Sequence, residues 1–197
     1  MKSTPSISGG RQPVPARWAR DVQTILISEL RLKRRIAQLS GLLEAEFTGR
    51  DLLIVSLLNG TVLFLADLIR RLSLPLRLDF IGVSSYRDGT SSRELVFTKE
   101  LRLDVRGRDV LLIDDILDTG KTLSCVLAKL GQLGPRTIKT CVLLNKPARR
   151  TEPVEADYVG FVIPDLFVVG YGLDFAERYR NLPFIGVLKP HIYKTTN

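Results

Sequence analysis

The chain has 197 residues, of which 45% are hydrophobic and 25% charged, a composition typical of a soluble globular protein. A chain of this length buries roughly 70% of its unfolded surface, so it folds without a disulfide or structural metal. One histidine and two cysteines exclude a structural zinc site. The net charge of +8 allows three interpretations: a surface that binds nucleic acid, a site for polyanionic small molecules, or basic side chains on solvated helix faces.

The first part of the chain begins with a segment unlike a folded element. Residues 1–20 carry basic side chains, no acidic one and several helix-breaking prolines and glycines, which predicts a flexible arm before a single domain over residues 21–197. From Val22 to Phe47 apolar residues recur at helical spacing, which predicts a helix. The apolar stretch 52–69 is interrupted by polar residues, so it predicts a buried strand, a turn and a helix to about Leu72 rather than a membrane span.

The rest of the chain continues as alternating strands and helices. Because the predicted strands are rich in Val, Ile and Leu, they indicate an α/β fold with a central parallel sheet flanked by helices. Ligands bind such sheets outside the carboxyl ends of the strands. The predicted strands are 76–85, 94–103, 109–115, 137–144 and two short ones within 159–169; the predicted helices cover about 122–133 and a short stretch after Ala176, and residues 86–92 form a loop.

Residues 110–122 combine an apolar strand with polar chemistry. The strand is predicted to end in the adjacent carboxylates Asp114 and Asp115, after which a short polar loop leads into a helix. The loop glycine permits a tight turn, the helix start supplies unpaired amides and the threonines add hydroxyls, which together predict a cradle for a phosphate monoester. The carboxylates suit a ribose diol or hydrated Mg²⁺. The cradle consists of Thr119, Gly120, Lys121 and Thr122, next to Asp118.

This stretch resembles the signature of the type I phosphoribosyltransferases, which binds 5-phosphoribosyl diphosphate (PRPP). From about Leu52 to Leu188, further motifs are similar to those of the hypoxanthine–guanine phosphoribosyltransferases. The resemblance implies the type I fold, with a core over about 50–160 and a small hood from the N- and C-terminal segments. It also implies a cytoplasmic enzyme of purine salvage that forms a homodimer or tetramer. With Mg²⁺, such an enzyme transfers the phosphoribosyl group of PRPP to N9 of hypoxanthine or guanine and gives IMP or GMP and diphosphate.

The resemblance also assigns roles to single residues. It places Asp118 at N7 of the purine as the group that handles the proton. It makes Lys146 a donor to the oxygen at C6, where the amino group of adenine would repel a donor. By the same resemblance, Asn59, Gly60 and Arg180 contact the diphosphate, and Asp174 binds Mg²⁺ together with Asp114 and Asp115. Phe167 stacks on the purine, and the Val168 backbone contacts the base edge. Ser85 and Tyr86 belong to a loop that closes over the site.

Two positions depart from the family pattern. Asn59 stands where many members have a lysine or arginine, and Asp114 is one methylene shorter than the usual glutamate. We therefore expect weaker attraction for diphosphate but no loss of a reacting group. Two alternatives stay open: an RNA-binding regulator of the same fold, which the basic charge allows, and a phosphoribosyltransferase that prefers xanthine. Because an RNA-binding regulator has no need of Asp118, Lys146 and Asp174 together, the enzyme is favoured and a nucleic-acid partner is not expected.

Overall fold

The structure, a computed structural model, describes residues 13–85 and 95–194. Strands and helices alternate through most of these residues. In chain order the elements are β1 (Val22–Ile27), α1 (Glu29–Phe47), β2 (Leu52–Leu58), α2 (Val62–Ile69), β3 (Leu76–Ser85), β4 (Leu95–Lys99), β5 (Asp109–Leu117), α3 (Lys121–Gln132), β6 (Thr137–Asn145), β7 (Tyr158–Val162), β8 (Val168–Val169), β9 (Ile185–Leu188) and α4 (Pro190–Tyr193).

Six strands form the central sheet, in the order β4-β3-β2-β5-β6-β7. All neighbours are parallel except β4, which runs antiparallel to β3 at one edge. The sheet is buried on both faces because α1 and α2 pack on one and α3 on the other. Along β2, Leu52 and Ile54 face the first pair of helices while Leu53 and Val55 face α3, which explains its unbroken apolar sequence. The predicted α/β fold with a central parallel sheet is confirmed.

A second, antiparallel sheet of three strands, β1-β9-β8, forms the hood. It joins the two ends of the described chain, since β1 pairs with β9 from Val22 opposite Leu188. Its apolar side packs around Tyr179, Leu182 and Phe184, which are almost fully buried. The expected hood is thus present in the structure. The expected arm includes Trp18, whose ring lies 6.3 Å from that of Tyr179, whereas residues 1–12 lie outside the described part.

Several predicted elements differ from the observed ones. The helix predicted from Val22 is wrong over its first six residues, which form β1 because β9 supplies a partner strand. The helix begins after Ser28, whose hydroxyl accepts from the N–H of Arg31 at 3.4 Å as an N-cap. The strand predicted over 94–103 ends at Lys99, because the Asp79 carboxylate binds the backbone N–H groups of residues 102 and 103 and turns the chain. Strand β9 was not predicted.

Within residues 13–85 and 95–194, no helix combines the length and the apolar composition that a membrane span requires.

Candidate active site

A crevice opens in the central sheet between β2 and β5. These strands are paired only as far as Ser56 opposite Ile113. Beyond that point β2 continues beside β3, and β5 continues beside β6. Because the strand order runs outward in opposite directions from this pair, the crevice is the topological switch point of the sheet, where α/β proteins bind ligands.

Asp114 and Asp115 lie at this crevice but not at the end of their strand. The prediction that β5 ends with them is wrong, since β5 continues to Leu117 by pairing with β6. Only the pairing with β2 stops before them, which leaves both carboxylates beside the opening. The Asp114 side chain is buried, and its Oδ1 accepts from the N–H of Asp115 at 2.9 Å.

The surroundings of these two carboxylates disfavour their ionised forms. Burial raises the pKa of Asp114 well above its ordinary value, and the adjacent Asp115 carboxylate raises it further. Burial also raises the pKa of Asp115, although hydrogen bonds from Asp114 and from backbone N–H groups oppose that shift. Such a pair binds well to groups that donate hydrogen bonds or carry positive charge, such as sugar hydroxyls or a hydrated cation.

The predicted phosphate cradle follows β5 directly. Gly120 has φ +91°, a conformation that suits glycine, and α3 begins at the next residue. Gly120, at the N-cap position, has no side chain that could cap this helix start, so N–H groups of the first turn can receive an anion. Lys121 is exposed, and its N–H donates to Thr119 Oγ1 at 3.4 Å. A cavity of about 260 Å³ here is lined by Gly60, Asp114, Asp115, Asp118, Thr119, Gly120 and Thr122, among others.

The loop after β2 forms the opposite wall of the crevice. The loop starts with a cis peptide between Leu58 and Asn59. The buried Thr61 hydroxyl stabilises the loop, since it accepts from Ser56 Oγ and donates to Leu57 O. Gly60 leaves no room for a side chain, because a Cβ there would lie 1.6 Å from Oδ2 of Asp115. A cavity of about 570 Å³ beside this loop is lined by Asn59, Gly60, Ser84, Lys99, Asp115, Asp174, Glu177 and Arg180, among others.

Asp174 and Arg180 face this larger cavity as an ion pair. Arg180 Nη1 lies 3.0 Å from Asp174 Oδ1, and Nη2 lies 2.8 Å from Glu177 Oε2. The turn between them holds Ala176, Glu177 and Tyr179 at φ of +50°, +60° and +75°, left-handed conformations that are strained for residues with side chains. The predicted diphosphate ligand and the predicted metal ligand therefore hold each other in this structure.

A third cavity, of about 260 Å³, brings together the residues predicted to bind a purine. Its walls include Asp115, Asp118, Lys146, Arg149, Leu166, Phe167, Val168, Leu173 and Asp174. Lys146 is 5% exposed, and its Nζ lies 3.1 Å from Asp165 Oδ1. The ring of Phe167 is held in position by stacking on that of Tyr193, with ring centroids 4.5 Å apart. The cavity thus combines a flat aromatic ring, a buried cation and a carboxylate.

Asp118 carries an unused acceptor in this base cavity. Its Oδ1 is buried and has no hydrogen-bond partner among the described residues. The nearest cation, Arg149 Nε, is 3.7 Å away, which is too far for a hydrogen bond. Because an unpaired buried acceptor is costly, this oxygen is suited to receive a donor from a ligand.

Some residues at the site were not predicted, and the predicted closing loop is described only in part. Arg149 was not predicted as a site residue; its position three residues after Lys146 in the same loop was the available signal. The apolar wall residues Leu166 and Leu173 carry no distinctive sequence signal. Ser85 ends β3, and Tyr86 lies outside the described residues.

The chemistry of the donors fits Mg²⁺ in one particular way. Among the described residues, no three His, Cys, Asp or Glu side chains converge into a ready-made metal site. Mg²⁺ commonly binds one or two carboxylates and completes its shell with water and substrate phosphate oxygens. Asp115 and Asp174 line two cavities in common, so they could provide such a partial shell.

Comparison with known proteins identifies relatives of the whole chain. The sequence pattern of the phosphoribosyl transferase domain matches residues 22–176. A hypoxanthine-guanine phosphoribosyltransferase of Bacillus subtilis is 45% identical over 176 residues, which cover 89% of this chain and 98% of that protein. A bifunctional TilS/HprT protein of Listeria innocua is 51% identical over 174 residues, 88% of this chain, which spans only 27% of that longer protein. The crystal structure of a hypoxanthine phosphoribosyltransferase from Staphylococcus aureus superimposes with a TM-score of 0.87 at 40% identity, covering 93% of this chain and 100% of that one.

Proposed function

This chain belongs to the phosphoribosyl transferase domain family, and we propose that it is a hypoxanthine–guanine phosphoribosyltransferase of purine salvage. It transfers the 5-phosphoribosyl group of PRPP to N9 of hypoxanthine or guanine and releases diphosphate with IMP or GMP. One observation carries the choice of base: the same cavity has a buried lysine, Lys146, and an unpartnered carboxylate oxygen, that of Asp118. A 6-oxopurine presents an acceptor at C6 and can present an N–H at N7, which matches this pair.

Three sets of residues in the crevice bind three different parts of PRPP. The cradle 119–122 receives the 5-phosphate at the uncapped start of α3. Asp114 and Asp115 accept hydrogen bonds from the ribose hydroxyls and so orient the sugar in the crevice. Asn59, Gly60 and Arg180 face the diphosphate, and Arg180 exchanges its present carboxylate partners for it.

The oxygen donors described above support the binding of Mg²⁺ together with PRPP. Asp174 and Asp115 would hold the ion with diphosphate oxygens, where it would neutralise charge on the leaving group. Asn59 contributes no positive charge to this region, so the diphosphate relies on backbone N–H groups and on the two cations that line the cavity, Arg180 and Lys99.

The base is bound and activated by three side chains of the base cavity, the one lined by Lys146, Phe167 and Asp118. Phe167 gives it a flat surface, Lys146 donates to the oxygen at C6, and Asp118 accepts the N–H at N7 and takes the proton as N9 bonds to the sugar. Adenine presents an amino group at C6, which cannot accept from Lys146, so it should be excluded. The homo-oligomer, the cytoplasmic location and the closing loop of Ser85 and Tyr86 stay predictions of the family resemblance.

The proposal is tested by a steady-state assay of the purified chain with PRPP, Mg²⁺ and, separately, hypoxanthine, guanine, xanthine and adenine. Nucleotide from hypoxanthine or guanine, and none from adenine, is the expected result. Faster turnover of xanthine would change the substrate assignment. PRPP binding without nucleotide from any base would contradict the proposal and direct attention to salt-dependent RNA binding.

A further inference from the structure

The guanidinium of Arg150 holds the backbone of the loop that carries Asp118. Its Nε donates to Asp118 O at 3.0 Å, and its Nη2 donates to Leu117 O at 3.2 Å. The same group also donates to Asn145 Oδ1 at 2.6 Å and to Val154 O. One side chain therefore ties together the end of β5, the end of β6 and the segment that precedes β7.

The residues after Arg150 extend this support to the next position of the loop. The N–H groups of Thr151 and Glu152 both donate to Thr119 O, at 2.9 and 3.1 Å. At Gly120, a Cβ would lie 2.8 Å from Val154 Cγ1 and 3.1 Å from Arg150 Cδ. The backbone of residues 117–120 is thus packed against residues 150–154, which we name the support segment.

The Asp118 side chain has only weak support of its own, the long ion pair with Arg149 Nε at 3.7 Å. Its Oδ1 has no hydrogen-bond partner among the described residues. Its place in the base cavity therefore depends on where the backbone of the loop is held. Since a displacement of about 1 Å at a reacting group can cost on the order of 100-fold in rate, that backbone position has kinetic consequences.

We propose that Arg150 is a positioning residue, which acts on turnover by fixing the loop backbone that presents Asp118 to N7 of the base. The inference rests on the proposed function, because it needs Asp118 to handle the proton of the purine. It is specific to a guanidinium: only a planar fork of donors reaches several carbonyl and amide oxygens at once, and a lysine ammonium cannot reproduce that geometry.

The decisive variant is Arg150→Lys, which keeps the positive charge and most of the side-chain stem. We expect kcat with hypoxanthine to fall by about 10–100-fold. The KM for PRPP should change by less than about three-fold, because the cradle residues Lys121 and Thr122 belong to α3, and Thr119 O is still held by the backbone N–H groups of Thr151 and Glu152.

Arg35→Lys is a matched control elsewhere in the fold. Arg35 also uses its guanidinium to hold backbone carbonyls, donating to Gly160 O and Val159 O, each at 2.8 Å. Those carbonyls belong to β7, away from the base cavity. Its replacement should lower the thermal midpoint comparably while kcat of the folded enzyme stays within about two-fold. A fall of kcat as large as in Arg150→Lys would overturn the inference.

A double-mutant cycle shows whether Arg150 acts through Asp118. Asp118→Asn removes the group that is being positioned, so adding Arg150→Lys should then lower kcat by less than about three-fold. An equal fall in both backgrounds, or no fall in either, would overturn the inference. Should Arg150→Lys fail to fold, Asn145→Ala, which deletes one acceptor of the guanidinium, should reduce kcat by about 3–10-fold, and an unchanged kcat would count against it.

The wild-type assay keeps the two claims separate. A wild-type chain that forms no nucleotide overturns the proposed function and, with it, the inference. An active wild type whose kcat is insensitive to Arg150→Lys overturns the inference alone.

Discussion

Asp118 and Lys146 act on different atoms of the base, so their replacement should change different kinetic constants. Asp118→Asn keeps the shape of the side chain but removes its ability to take a proton. We expect kcat to fall by about 10²–10⁴-fold, while the dissociation constant of PRPP stays nearly constant. Steady-state kinetics and PRPP binding by calorimetry measure the two quantities. Asp104→Asn, at an exposed carboxylate, is the control; an unchanged kcat in Asp118→Asn would remove Asp118 from the reaction.

Lys146 contributes to base recognition through a charged hydrogen bond. Lys146→Met should lower kcat/KM for hypoxanthine by about 10–100-fold, the equivalent of about 1.5–3 kcal/mol, and should reduce the preference over adenine. The KM for PRPP should not move. Lys33→Met, which alters only an exposed pair with Glu29, should behave as wild type. If Lys146→Met kept full discrimination against adenine, the selectivity would have to come from another group.

Single residues were predictable where their chemistry is conspicuous. Adjacent carboxylates within an apolar strand, and an aspartate beside Thr119 and Gly120, indicate a polar ligand without further information. The burial of Lys146 was not predictable, since a lysine before a proline is more often exposed. The role of Arg150 was not predictable, because nothing in the sequence distinguishes a guanidinium that binds backbone carbonyls from one that faces water.

At the scale of elements, Asp109 joins the starts of β5 and β6. The Arg136 guanidinium and the Thr137 hydroxyl donate to its buried carboxylate, and these bonds lower the pKa of Asp109. A carboxylate with a lowered pKa stabilises the fold above its ordinary pKa, and this contribution is lost as the pH falls towards the lowered value.

Asp109→Asn should therefore reduce the free energy of unfolding by about 1–3 kcal/mol at neutral pH, and by less as the pH falls below about 4. Urea unfolding at a series of pH values measures this difference. Asp51→Asn offers a comparison, since Asp51 pairs with Arg77 and Arg108 but is 50% exposed, and its effect should stay within about 0.5 kcal/mol. A constant loss at every pH would contradict the role given to the Asp109 charge.

The elements of the core were predicted well because local pattern determines them. The bounds of β3 are those expected, and the helix expected near 122–133 is α3, Lys121–Gln132. Strand β1 was mistaken for helix because its strand conformation depends on β9, a partner more than 150 residues away. The end of β4 was misplaced for a similar reason, since the Asp79 carboxylate that turns the chain comes from β3.

For the whole molecule, substrate binding should appear as added stability. PRPP with Mg²⁺, supplied at 100 times its dissociation constant, should stabilise the folded state by about 2.7 kcal/mol. For a chain of this size that corresponds to a rise in Tm of roughly 5–10 °C. Calorimetry with PRPP, with and without EDTA, measures the shift. Chelation should reduce it markedly, because the diphosphate then faces Asp115 and Asp174 without a cation; an equal shift in EDTA would argue against a metal in PRPP binding.

The pairing of β1 with β9 also orders the assembly of the chain during synthesis. β1 is made early but has no neighbour in the hood sheet until residues 185–188 exist. The strands of the crevice are complete by residue 145, long before that. Non-local contacts of this kind form late. A growing chain can therefore form its phosphate cradle first. The base cavity, to which Val168 of the hood strand β8 and the preceding Phe167 contribute, is completed only after β9 has been added.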